Sequence, residues 1–166
     1  MMGHRIVPIA AMGWSLGVIA LVLKSGLIAP SISPPINIQD PLALAVAVLK
    51  QAETFKAAAV GIAGVTPNEV LAWRVVFNSP GRDEVFRDLL ATGSPSGRLY
   101  ALAGLWFEDA NEFATAAAAL RAQGGRVTTV RGCIASTESL REVVHQIESG
   151  SWSREFLVAG RLVNVR

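Results

Sequence analysis

The chain has 166 residues, about half of them hydrophobic, so one domain with a sizeable core fits beside an N-terminal extension. Of its 15 Lys and Arg, Arg5 and Lys24 lie before Pro30, which leaves the remainder balanced against 13 acids. A neutral domain lacks the basic stripe that nucleic acid requires, and a single cysteine, Cys133, excludes an intramolecular disulfide and a cysteine-based zinc site.

The uncharged run from Ile6 to Leu23 is roughly 18 residues long, about 27 Å as a helix, close to the hydrocarbon thickness of a bilayer. Residues 1–29 therefore read as a membrane anchor that enters the bilayer through residues 6–23, the alternatives being a cleaved secretory signal and a buried core helix. The small-x-small pattern Ala29-Pro30-Ser31 has proline at its centre, an awkward cleavage site. Arg5 ahead of the run favours an internal N-terminus by the positive-inside rule. The rest of the chain then lies outside the cytoplasm, or is secreted or periplasmic if the segment is cleaved. Gly13 and Gly17, in small-xxx-small spacing, would let the run pack against another membrane helix. Residues 30–40 are proline-rich and read as a semi-extended spacer, because proline fixes its own φ and restricts the residue before it.

Residues 41–166 read as a helical domain. Asp40-Pro41 opens a helix expected to run to about Ala59, with Leu44, Val48, Phe55, Ala59 and Ile62 on its apolar face. Thr66-Pro67-Asn68-Glu69 has the form of a capping box and starts a helix to Phe77, with Val70, Trp73 and Phe77 inward and Leu71 and Val75 alongside. Ser79-Pro80 repeats the device for a helix ending near Ala91, where Thr92-Gly93 breaks it. Ser94-Pro95 opens a helix with Leu99, Leu102, Leu105 and Trp106 on its face, Tyr100 and Phe107 reaching toward neighbours. Asp109 to Glu112 starts another with Phe113, Ala116, Ala117 and Leu120 inward until Gly124-Gly125. The starts at 66 and 94, and at 79 and 109, recur at about 28 to 30 residues, the layout of two successive helical hairpins.

Beyond the glycines, Arg126 to Ile134 is β-branched and alternating, an extended segment. Ser136 or Thr137 then caps a short amphipathic helix with Leu140, Val143, Val144 and Ile147, closed by Gly150. Glu155 to Val165 reads as extended, turning at Ala159-Gly160 or pairing with residues 127–131. The fold class is thus mainly α, with a small β element near residues 126–134 and 155–165.

No set of residues converges on catalysis. Cys133 sits in an apolar context as a buried structural thiol and His145 on a charged, solvated helix face, so a dyad between them is the weaker reading. There is no Gly-x-Ser-x-Gly elbow and no phosphate-binding glycine pattern. Glu108, Asp109 and Glu112, with Asp83, Glu84 and Asp88 one hairpin earlier, lie at helix starts, where negative charge suits the helix dipole. No metal site, catalytic residue or cofactor is expected. Arg98, Tyr100, Glu108, Asp109 and Glu112 are the candidate binding residues, as the exposed polar remainder of the second hairpin.

The pattern Ser94-Pro95-x-Gly97-x-Leu99-Tyr100-Ala101-Leu102-x-Gly104-Leu105, followed by a second helix, resembles a HEAT-type helical hairpin, in which small residues allow close packing. With Gly132-Cys133-Ile134 it is also similar to uncharacterised, predicted bacterial envelope proteins. The resemblance covers about 66–136. Its period is shorter than a HEAT unit and only two hairpins are present, so it implies a compact HEAT-like domain that binds protein through a concave helical face, at a bacterial cytoplasmic membrane. The expected function is a membrane-tethered, non-enzymatic interaction module. The alternatives are a small hydrolase-like enzyme using Cys133 or an acidic pair, and a structural component of a membrane assembly.

Overall fold

A computed structural model describes residues 40–157, and the expected anchor, the spacer and the segment from Val158 onward lie outside them. The described residues form seven helices and a three-stranded sheet: α1 (Pro41–Lys50), β1 (Thr54–Val60), α2 (Asn68–Phe77), α3 (Arg82–Thr92), α4 (Pro95–Leu105), α5 (Ala110–Gln123), β2 (Arg126–Gly132), β3 (Ile134–Ser139), α6 (Leu140–Glu148) and α7 (Ser151–Leu157). The mainly helical class holds. No helix among the described residues is long and apolar enough to cross a membrane.

The helix α4 is the centre of the packing. It touches every other helix as well as β1 and β2, and nine of its eleven residues are buried. Such a helix needs small residues where neighbours press closest. A Cβ on Gly97 would stand 2.3 Å from the Leu49 carbonyl oxygen at the end of α1, and one on Gly104 would stand 2.3 Å from the Phe86 ring of α3. The start of α4 is pinned from three directions. Ser94 Oγ accepts from the Gly97 amide and donates to the Ala52 carbonyl, and the Ser94 amide donates to the Lys50 carbonyl.

The sheet has the order β1-β2-β3, with β1 and β2 parallel and β2 and β3 antiparallel. Four helices make the crossover between the parallel strands. Phe55, Ala57, Val127 and Thr129 are buried, while β3 is exposed almost throughout. Thr129 Oγ1 donates to Glu138, Glu138 Oε2 accepts from Gln146 Nε2 at 2.8 Å, and Gln146 Oε1 accepts from Trp152 Nε1 at 2.8 Å. That relay supplies partners to polar groups that would otherwise be stranded at the edge of the core.

Several boundaries differ from the sequence expectations. The helix expected to reach Ala59 stops at Lys50, and Thr54–Val60 becomes β1, because pairing with β2 overrides the helical preference of Ala57, Ala58 and Ala59. Its buried side is Ala45 and Leu49, leaving Leu44 and Val48 exposed. Pro67 takes the N-cap position of α2 without a side-chain cap, and Glu69 bonds Lys56 Nζ at 2.7 Å instead of closing a capping box with Thr66.

The remaining boundaries shift further along the chain. Ser79 finishes α2 by donating to the Val76 carbonyl, and α3 starts after Gly81, which holds φ 74°. Ser139, three residues beyond the earlier of the expected caps, opens α6 because 134–139 is β3. Glu155–Leu157 belongs to α7 rather than to an extended segment, and both edges of β2 are occupied by β1 and β3. The cause is the burial of Trp152 and Phe156, spaced one helical turn apart.

Gly97→Ala drives a methyl group into a backbone carbonyl that cannot rotate away, so a loss of about 1–3 kcal/mol in urea unfolding is expected.

Candidate functional site

The residues expected to form a binding corner are held by partners within the chain. Arg98 Nε donates to the Gly93 carbonyl at 2.9 Å and its Nη1 to Gln123 Oε1 at 3.1 Å. Glu108 accepts from Arg82 Nη2 at 2.9 Å, and Glu112 from Arg87 Nε at 2.6 Å. The Asp109 carboxylate accepts from the amides of Asn111 and Glu112, as its reading as a cap requires. Those bonds, the Glu112 amide first, hold it below the ordinary aspartate value. Arg82–Glu108 and Arg87–Glu112 thus tie α3 to the start of α5.

Tyr100, expected at the surface, is buried. Its phenol oxygen accepts from the Lys56 amide at 2.9 Å and donates to the Lys56 carbonyl at 3.4 Å. Its own carbonyl accepts from Trp73 Nε1 at 3.0 Å. Burial pushes the phenol well above its ordinary value.

The groups considered for catalysis do not converge. Cys133, expected to be buried, is exposed in the turn between β2 and β3. His145 projects from α6, three-quarters exposed, with Nδ1 3.6 Å from Glu148, and no hydrogen bond joins it to Cys133. No group of three His, Cys, Asp or Glu among the described residues could hold a metal ion.

The structure also leaves apolar side chains partly exposed on two helices. Leu44 and Val48 on α1, and Leu71 and Val75 on α2, are each one helical turn apart and between 39% and 48% exposed, on two helices that pack against each other. Val48 also lines a groove of about 570 Å³ with Val65 and the Lys56–Glu69 ion pair. The signal in the sequence was the run Leu42 to Leu49, apolar on all sides, together with Leu71 and Val75 beside an already sufficient core face on α2. Helices with more apolar residues than their core contact needs leave some facing outward.

Compared with family models, curated proteins and solved structures, the chain matches none.

Tyr100 is the only tyrosine, which makes its ionisation directly visible. In the folded state the phenol keeps a proton that the unfolded chain releases at about pH 10, so the unfolded state binds fewer protons and stability falls as pH rises above that value. Tyr100→Phe should remove this alkaline slope and, by stranding the Lys56 amide and carbonyl, cost about 1–3 kcal/mol at neutral pH. Near-ultraviolet absorbance should show tyrosinate in the wild type only as the chain unfolds. Tyrosinate appearing in the folded protein near the ordinary value would contradict the assignment.

Proposed function

We propose that the chain is a membrane-tethered, non-enzymatic helical module that acts through protein contacts. The observation that carries the reading is the pair of exposed apolar stripes, Leu44 with Val48 and Leu71 with Val75, on adjoining helices. Large apolar side chains left in water on neighbouring elements mark a surface that another molecule covers. An α-helical partner with its own apolar stripe fits two such helices, since side chains at i and i+4 form ridges that another helix receives. The likeness of Ser94 to Gln123 to HEAT-type hairpins points to the same use of helical faces.

The tether in this proposal is Ile6 to Leu23, joined to the helical body through the proline-rich spacer, with the body outside the cytoplasm at a bacterial membrane. Ion pairs and helix caps account for the acidic corner, and His145 and Cys133 share no hydrogen bond.

Three measurements test the proposal. Photo-crosslinking groups placed at Val48 and Val75 in the full chain should yield discrete protein adducts, with none from the solvated position Arg141. The double variant Val48→Glu and Val75→Glu should abolish those complexes while changing stability by less than about 1 kcal/mol, as partly exposed positions allow. Adducts of equal yield from Arg141, or complexes that survive both glutamates, would remove the stripes as a binding surface. Chain lacking residues 1–30 should move from the membrane to the soluble fraction and stay helical.

A further inference from the structure

At the opposite end of β1 from α1, the carboxyl ends of the parallel strands β1 and β2 open into a cleft of about 590 Å³ that the apolar stripes do not reach. In sheets with parallel strands this end is where ligands sit, because the chain turns away from the sheet there and leaves a crevice. The crevice is shaped by small residues. Ala57, Ala58 and Ala59 form its β1 side, and Gly132 its β2 side, so larger side chains are missing where a ligand would lie. The Gly61 amide donates to the Gly132 carbonyl at 2.8 Å and draws together the turns after both strands. The turn after β1 carries Ile62, 99% exposed, and β3 opens on Ile134, 69% exposed, at the same end of the sheet.

The chemistry of the cleft centres on Arg131. Its guanidinium lies 3.9 Å from the centre of the buried Trp152 ring, and its Nη2 donates to Ser151 Oγ at 3.0 Å. Its Nε is buried without an acceptor among the described residues. Glu155 approaches only to 3.9 Å, with both side chains about two-fifths exposed, so water and salt weaken that pair. A guanidinium has five donors in a planar fork, and an indole stack orients the fork while leaving donors available for a carboxylate. The second arginine of the cleft, Arg154, is already bound to the carbonyls of Gly150 and Ser149. With Arg131 and Arg154 set against Glu155, the cleft holds one net positive charge beside an alanine wall, so the site suits a single negative charge on an apolar body, and a phosphate dianion would meet too little positive charge.

We propose that this cleft binds a small aliphatic monocarboxylate, with its carboxylate on Arg131 and its hydrocarbon chain along Ala57 to Ala59. The proposal does not depend on the α1 and α2 surface, and its test leaves that surface unchanged. Hexanoate and its neutral isostere hexanamide are titrated calorimetrically into the full chain held in lipid nanodiscs, with empty nanodiscs as the reference. Saturable binding of hexanoate is expected, with hexanamide weaker by about tenfold to a hundredfold, the equivalent of one charge-assisted pair. Arg131→Gln should weaken hexanoate by the same factor and leave hexanamide unchanged. Glu155→Gln should strengthen hexanoate by removing a competing carboxylate. Ala59→Trp, which leaves the Arg131–Trp152 stack in place, should block both ligands and keeps the test decisive if Arg131→Gln fails to fold. Equal binding of acid and amide, hexanoate binding that ignores Arg131→Gln or Ala59→Trp, or no saturable binding at all would overturn the proposal.

Discussion

The rest of the structure depends on one side chain meeting a strand edge. β1 pairs with β2 on one side only, so its other edge presents backbone groups that cannot be left dry without partners. The Tyr100 phenol answers both groups of Lys56, and farther along the strand Val60 exchanges amide and carbonyl bonds with Val65 across a tight turn. A helix thereby closes a sheet edge. The same ring lies 4.8 Å from Phe55 and 5.6 Å from Phe156, while Trp73 stacks with Phe77 and Phe86 and donates to the Tyr100 carbonyl. α1, α2, α3, β1 and α7 therefore meet around α4, which explains why α4 has glycine at the points where α1 and α3 press against it.

That arrangement also fixes where the molecule has surface to offer. With α4 filling the middle, α1 and α2 bury one side of each helix and turn Leu44, Val48, Leu71 and Val75 outward. The parallel pairing of β1 and β2 brings the turn after residue 60 and the hairpin after residue 131 to one end, and α7 packs beside them through Trp152 and Phe156. Arg131 reaches across from the strand to the helix, so the cleft exists only because a strand, a crossover and a last helix converge. None of its parts is a site alone.

The legible features of the chain were the local ones. Ser94, Asp109 and Asp40 act as caps, as their spacing from following amides dictates, and Gly124 ends α5 with φ 66°. Leu140, Val143, Val144 and Ile147 are buried along one face, as their period required. What could not be read was set by distant partners. Ala57 to Ala59 favour a helix in isolation and become a strand because residues 128–130 pair alongside Thr54 to Lys56. Tyr100 looked like an exposed polar aromatic, and its partner is 44 positions earlier. Trp152 and Phe156 carried a helical spacing that the β-branched residues following them obscured. The cleft was invisible for the same reason, since its walls come from residues as far apart as Ala57 and Glu155.

Charge in this domain is used mostly to hold the helices together, which bears on what the protein can recognise. Lys50 pairs with Asp88, Arg82 with Glu108, Arg87 with Glu112 and Arg121 with Glu148, each joining separate elements. Each exposed pair contributes about 0–1 kcal/mol, so their larger effect is to neutralise one another. In the two proposals, recognition falls instead to two helices with partly exposed apolar side chains, and to one arginine stacked on an indole beside an alanine wall.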